Sequence, residues 1–163
     1  MTDFMTAKDV ELAIVDWLDV RQYLIVPNVS WGLGVHECDL LALSKSGYAT
    51  EFEIKVTKAD LIRDSKKEHG HRSGKIKHLY FAIPEEIESC ADLIPANAGI
   101  VVIEYWSYRF HCRILREAPA NGNARPFTDE ERFKLARLGT MRMWNLKRTL
   151  WQNHHHQEAE YQI

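Results

Sequence analysis

Carboxylates and a lysine recur at alternate positions along two predicted strands, which is a spacing that can support acid–base or metal chemistry. Because successive side chains of a strand point to opposite faces, Glu51, Glu53 and Lys55 project from the same face. On the preceding strand, Glu37 and Asp39 share a face for the same reason. The sequence thus predicts a charged patch on one side of a sheet, opposite an apolar side.

The Ser-Lys-Ser-Gly segment at 44–47 predicts a β-hairpin that joins the two strands. Asp39 and Glu53 are equally distant in sequence from Ser46, so the hairpin would place them nearly opposite each other. Two facing carboxylates repel, and a hard divalent cation such as Mg²⁺ or Mn²⁺ is their natural partner. Lys55 adds a compact positive charge that can orient or deprotonate a water, or stabilise charge on a phosphate.

Glu11 lies at the border of the apolar stripe of the first predicted helix and could add a further carboxylate. Together these groups are typical of a metal-assisted phosphodiester hydrolase. An alternative stays open, in which the acids and Lys55 simply pair on a solvated sheet face. The sequence also leaves open whether Glu37 or Glu51 joins the site.

The elements that must position these groups follow from hydrophobic periodicity, helix-capping signals and turn residues. The sequence predicts helices over 7–20 and 57–67, from Pro84 onward, and from Thr128 to about Trp151, with strands over 23–26, 38–43, 48–56, 78–83, 99–104 and 108–115. Without a long linker, this order predicts one α/β domain over 1–152, a mixed sheet flanked by helices. A polar tail is expected over 153–163.

The composition fits a globular chain, with 163 residues, 45% hydrophobic and 27% charged. It excludes collagenous, low-complexity and mostly disordered classes. The sequence holds no apolar run long enough to span a membrane and no signal peptide, so a cytoplasmic protein is expected. Three widely spaced cysteines indicate reduced, small core residues rather than a zinc site.

Charge is distributed unevenly along the chain despite a net charge of only −2. Residues 1–54 hold 3 Lys/Arg against 9 Asp/Glu, whereas residues 55–78 hold 8 Lys/Arg against 3 Asp/Glu. The basic segment follows the predicted catalytic strand, where it can neutralise DNA phosphates. For any single residue, a solvated helix face is the better explanation of the charge, whereas the group as a whole, next to an acidic site, favours DNA contact. The candidate DNA-binding residues are Lys58, Arg63, Lys66, Lys67, Arg72 and Lys75.

Asp39 in CDLLAL, Glu53-Ile54-Lys55 in EFEIKV, and the order of elements resemble the PD-(D/E)XK nuclease superfamily. The run EIKVTKADLIRD followed by HLYFAIPEEI resembles in particular its MmcB-like DNA-repair branch, over about residues 7–104. The chain departs from the motif in having Cys38 where proline is usual.

The resemblance implies a restriction-endonuclease-like αβββαβ core and a Mg²⁺- or Mn²⁺-dependent deoxyribonuclease that acts in DNA repair, recombination or phage DNA processing. It implies Asp39 and Glu53 as metal ligands, Lys55 as the catalytic lysine and Glu11 as the acid of the first helix. The expected partner is double-stranded or branched DNA, with a homodimer possible and no membrane.

Two other functions remain open at this point. One is a non-catalytic DNA-binding or assembly module that retains the nuclease fold. The other is a nuclease that acts on RNA, although no aromatic-rich platform for single strands is evident in the sequence.

Overall fold

The computed structural model describes residues 5–30, 33–35, 37–65 and 73–160. Ten elements occur within these ranges. They are helices α1 (Ala7–Leu18), α2 (Lys58–Ser65) and α3 (Asp129–Glu160), a 3₁₀ helix (Glu85–Leu93), and strands β1 (Leu24–Val29), β2 (Cys38–Leu43), β3 (Ala49–Ile54), β4 (Ile76–Pro84), β5 (Gly99–Trp106) and β6 (Arg109–Arg116).

The six strands form a mixed sheet in the order β1-β2-β3-β4-β5-β6. The first three strands and the last pair are antiparallel, whereas β3, β4 and β5 run parallel. Parallel neighbours need a crossover, which α2 supplies between β3 and β4 and the 3₁₀ helix between β4 and β5. The predicted single α/β domain with a mixed sheet and flanking helices is confirmed.

Helix α1 begins at a capping box. The Thr6 hydroxyl oxygen accepts the backbone N–H of Asp9, and the Asp9 carboxylate accepts the N–H of Thr6 at 2.8 Å. The helix ends at Leu18 rather than at residue 20, because Asp19 adopts a left-handed conformation with φ of 64°.

Three apolar clusters cover the two faces of the sheet. Val10 and Ile14 of α1 pack on one face, over Phe52 and the even-numbered residues of β2. The opposite face carries two separate clusters, one under α3 around Leu135 and one under α2 and the 3₁₀ helix around Leu61. Glu51 and Glu53 of β3 lie on this second face, opposite Leu79 and Phe81 of β4, and thus between the two clusters.

Prolines explain two local differences from the predicted elements. Strand β1 continues through Pro27, which a sheet tolerates because β1 is an edge strand. Pro84 ends β4, and a 3₁₀ helix follows it instead of an α-helix.

Helix α3 is longer than predicted. It continues through Glu160, so the polar tail expected from residue 153 is not a separate segment, and 152 is not a boundary. No glycine or proline follows Gly139 in this helix, and polar composition alone does not end a helix. Within the described ranges, no helix is long and apolar enough to cross a membrane.

Candidate active site

The β2–β3 hairpin brings Asp39 next to Glu53 in the predicted register. Leu40 pairs with Phe52, which places the preceding Asp39 opposite Glu53. At this end of the paired region, the Asp39 side chain contributes a hydrogen bond, since its Oδ2 accepts the backbone N–H of Ile54 at 2.7 Å. The Asp39 carboxylate is therefore fixed at the end of the β2–β3 ladder, where β3 leads into Lys55.

Glu53 and Lys55 form a largely buried ion pair. Lys55 Nζ lies 3.0 Å from Glu53 Oε2, and the two side chains are 14% and 9% exposed. Glu51, which shares their face, is buried at 2% exposure. On a solvated sheet face, these charged side chains would be exposed to water. Their burial disfavours the alternative that the acids and Lys55 simply pair on such a face.

Burial raises the pKa of Glu53 to about 7. The Lys55 ammonium opposes this shift and the negative charges of Asp39 and Glu51 support it, and the value of about 7 is the net of these effects. Glu53 therefore changes its charge near neutral pH, which is typical of a carboxylate in a functional site.

Helix α1 brings Glu11 close enough to Asp39 for the two carboxylates to interact electrostatically. The pKa of Glu11 is raised by its partial burial and, next in size, by the negative charge of Asp39, while Lys8 lowers it. Although α1 packs on the Phe52 face of the sheet, Glu11 thus interacts with an acid of the opposite patch. All four candidate catalytic residues belong to one electrostatic cluster.

The pair of Asp39 and Glu53 fits a hard divalent cation that needs few protein ligands. In the described ranges, no three or more His, Cys, Asp or Glu side chains are arranged to hold a metal. Mg²⁺ commonly takes only one or two carboxylates and completes its shell with water and substrate oxygens. Burial and the negative charge of Asp39 both disfavour the ionised form of Glu53, and a bound cation would offset both effects.

Cys38 does not share the face of Leu40, contrary to the strict alternation expected of β2. Its side chain packs in the cluster that contains Leu41. It pairs with Val29 of β1, next to Asn28, whose positive φ of 49° makes the edge strand irregular. Burial and the neighbouring carboxylates raise the pKa of the Cys38 thiol, which is thus a neutral core residue.

Two of the predicted DNA-binding residues lie beside the site. Lys58 and Arg63 are exposed on α2, the helix that follows Lys55 after a short turn. Arg63 lies 3.5 Å from Asp60 and keeps 72% of its side chain exposed. The predicted residues Lys66, Lys67 and Arg72 lie outside the described residues.

Lys75 is not available to DNA in the way the sequence suggested. Its Nζ lies 2.7 Å from Glu131 Oε1 and also donates to the carbonyl of Leu33, and its side chain is only 18% exposed. Arg125 binds the same carboxylate through two hydrogen bonds of 2.8 Å. Lys75 therefore anchors the first turn of α3, a contact between residues too distant in sequence to be foreseen.

Exposed aromatic side chains, which sequence analysis did not identify as a platform, surround a cavity between α1 and β6. The cavity measures about 630 Å³, and Trp17, Arg109 and Phe110 contribute to its lining. Tyr108, also in the lining, is 94% exposed. It sits in a turn where Ser107 and Tyr108 both have positive φ. The sequence signal for this feature is the Tyr-Trp-Ser-Tyr run at 105–108, which covers the end of β5 and the turn into β6.

Comparison with known proteins shows a likeness in fold but assigns no activity. No protein-family model matches the chain, and no curated protein matches it in sequence. A solved structure, the SPO1766 protein of unknown function from Silicibacter pomeroyi, is similar with a TM-score of 0.62 and 19% identity. The likeness covers 91% of this chain and 92% of that one, so the two share the fold of the whole domain.

Proposed function

We propose that this protein is a Mg²⁺- or Mn²⁺-dependent deoxyribonuclease that hydrolyses phosphodiester bonds. The observation that carries the proposal is the buried cluster in which Asp39, Glu53 and Lys55 meet at the end of the β2–β3 hairpin. Burial of several charges is costly, and a cluster retained at an open strand end is a candidate for chemistry.

Asp39 and Glu53 would hold the cation, and Glu11 would add negative charge at the rim of the site. The bound cation would supply Lewis-acid stabilisation of phosphate charge and would make a water more acidic. Lys55, kept in place by Glu53, would orient the attacking water or stabilise the negative charge that develops on the phosphate.

DNA is the substrate that the surroundings of the site favour. The exposed cations Lys58 and Arg63 lie on α2, the helix that follows the catalytic strand, and can contact DNA phosphates there. The resemblance to PD-(D/E)XK nucleases implies the same substrate and a role in repair, recombination or phage DNA processing.

The aromatic cavity between α1 and β6, on the face of the sheet opposite Glu53, offers a second contact for substrates that contain unpaired nucleotides. Trp17 and Tyr108 offer faces on which bases can stack, and Arg109 can approach a phosphate. This observation supports branched or single-stranded DNA and keeps RNA as the second candidate substrate. The cavity serves equally well in a non-catalytic binding module, which would bind without cleaving.

Cleavage of labelled duplex, branched and single-stranded DNA, and of single-stranded RNA, tests the proposal. We expect products with Mg²⁺ or Mn²⁺ and none with EDTA, and a loss of at least about 100-fold in Glu53→Ala and Lys55→Ala. Lys45→Ala, an exposed lysine in the hairpin turn, is the matched control and should cleave like the wild type.

Metal-independent binding of DNA without cleavage under any condition would favour the binding module. Cleavage that survives both substitutions would place the active site elsewhere in the chain. Cleavage of RNA alone would replace DNA as the substrate and leave the site assignment intact.

A further inference from the structure

The second half of α3 extends beyond the rest of the domain. The helix has 32 residues and is therefore about 48 Å long. Its first half lies on the domain, where Leu135 is fully buried and Gly139 packs closely on Val26. Arg142, whose guanidinium donates to the carbonyl of Asn28, is the last partly buried residue. From 143 to 154, every residue is exposed.

This projecting half carries large apolar side chains. Five of them are between 46% and 62% exposed, namely Met143, Trp144, Leu146, Leu150 and Trp151. Met143, Leu146 and Leu150 are spaced by three and four residues, which is the spacing of a helix–helix seam. Ala136 and Gly139 precede them at the same spacing, so the seam begins beside the buried Leu135, at the border of the surface by which α3 meets the domain.

A helix of this length with such a seam is poorly stable in water without a partner. Isolated helices of about 12–15 residues are marginal, and contiguous exposed apolar surface of several hundred Å² marks an interaction site. The polar side of the same segment, with Asn145, Arg148, Thr149 and Gln152, can remain in water. The projecting half is therefore amphipathic and has one side to cover.

The exposed area matches what a second copy of this chain would cover. At roughly 100–150 Å² of exposed surface for each large side chain, the five offer on the order of 600 Å² per copy. If all five side chains were covered, two copies would bury about 1,200 Å² in total, which is the lower end of specific, stable interfaces. A symmetric pair also gives each seam a partner with the same three-and-four spacing.

We propose that the protein forms a homodimer through the projecting half of α3, with Met143, Leu146 and Leu150 in the seam. Trp144 and Trp151 lie together on one side of the seam, and Lys147, 5.2 Å from the centre of the Trp144 ring, lies between them and the seam. The dimer does not depend on the proposed nuclease activity, because none of these residues belongs to the carboxylate site.

Sedimentation velocity and light scattering of the full chain test the dimer. At about 50 µM we expect twice the protomer mass for the wild type. The double variant Leu146→Glu, Leu150→Glu should be monomeric, with an affinity for itself at least tenfold weaker, because charges in the seam repel each other. Leu146 and Leu150 are exposed in the protomer, so the double variant should still fold. The unfolding temperature of the monomeric variant checks this.

The matched control is Thr149→Glu, Gln152→Glu, which adds the same charge to the same helix on its polar side. This control should remain dimeric. A wild type that is monomeric at about 50 µM, or a seam variant that dimerises as well as the control, would overturn the proposal. Binding of a monomeric wild type to anionic phospholipid vesicles would assign the seam to a lipid surface instead.

Discussion

Glu53 connects the electrostatics of the site with its chemistry. Three neighbours act on one carboxylate: Lys55 stabilises its charge, while Asp39 and Glu51 oppose it. Because burial dominates, the carboxyl group is poised near neutral pH rather than fixed as an anion. A cation that binds Asp39 and Glu53 would compete with the proton, so affinity for metal should rise as the pH passes through 7.

The same shift predicts how stability depends on pH in the metal-free protein. The pKa of Glu53 is about 7 in the folded protein against 4.5 for a solvated glutamate, so between these values the folded state retains a proton that the unfolded state has released. Stability should therefore fall as the pH rises from 5 to 8, by up to about 3 kcal/mol from this residue.

Urea unfolding at pH 5 and pH 8, in the presence of EDTA, measures this dependence. In Glu53→Gln the residue no longer titrates, so the loss of stability between the two pH values should be smaller by about 2–3 kcal/mol. Glu85→Gln, at an exposed acid of the 3₁₀ helix, should retain the wild-type dependence. Equal slopes for wild type and Glu53→Gln would contradict the raised pKa.

The residues of the site were more predictable than their environment. Strand alternation placed Glu53 and Lys55 on one face, and hairpin arithmetic placed Asp39 opposite Glu53, because both depend on local geometry. Burial of the pair depends on the packing of the two apolar clusters on this face of the sheet, which strand alternation does not reveal. The sequence could therefore predict the set of groups but not the pKa of Glu53.

At the scale of elements, the start of α3 is held by a charge cluster around Glu131. This carboxylate accepts the backbone N–H of Thr128 at 2.9 Å, which caps the helix, and binds Lys75 and Arg125. These hydrogen bonds hold the pKa of Glu131 well below its usual range. The Glu131 side chain thus connects α3 with the residue before β4 and with the loop that precedes α3.

Removal of this charge should destabilise the protein. Glu131→Gln leaves Lys75 buried without its carboxylate, and we expect a loss of about 2 kcal/mol in the free energy of unfolding at pH 7. Because the folded pKa is depressed, the stabilisation is present above the ordinary glutamate pKa and declines as the pH falls below it.

Urea titration of Glu131→Gln beside Glu130→Gln checks this expectation. Glu130 is the neighbouring, exposed acid of the same helical turn, paired with Lys134 one turn away at 2.8 Å. Its substitution should leave stability nearly unchanged, since exposed pairs contribute little. Similar effects of the two substitutions would show that Lys75 does not depend on Glu131.

The element order was predictable because each element has local signals, whereas its extent and neighbours were less so. Two sequence signals predict helix starts, namely the pairs Thr6–Asp9 and Thr57–Asp60. Both caps form in the structure. The end of α3 has no such signal. Which half of α3 projects depends on where the helix contacts the domain, and this tertiary contact cannot be read from the sequence.

At the scale of the whole molecule, charge is partitioned between a buried acidic site and exposed cations beside it. Lys75, counted with the basic segment in the sequence, belongs to the packing of α3, whereas Lys58 and Arg63 remain exposed. The expected DNA path therefore starts at the end of β3 and passes along α2.

Salt dependence of DNA binding tests this path. Each phosphate contact contributes about 0.9 to the slope of log affinity against log salt, so Lys58→Ala, Arg63→Ala should weaken binding and reduce the slope by up to about 2. Lys45→Ala is the control on the hairpin turn. An unchanged slope in the double variant, measured by fluorescence anisotropy with EDTA present, would exclude these residues from the path.

In the proposed function, the Asp39 charge next to Glu53 and Lys55 supports metal-dependent cleavage of DNA. The most direct measurement is the single-turnover rate of cleavage with Mn²⁺ for Asp39→Asn against Asp60→Asn. With asparagine at position 39, the side-chain oxygen can still accept a hydrogen bond from the N–H of Ile54, but the negative charge is lost. Asp60 lies on the nearby helix α2 and accepts a hydrogen bond from the Thr57 hydroxyl. We predict that Asp39→Asn slows cleavage at least about 100-fold and Asp60→Asn less than about threefold. Equal rates in the two variants, or no cleavage by the wild type, would contradict the account.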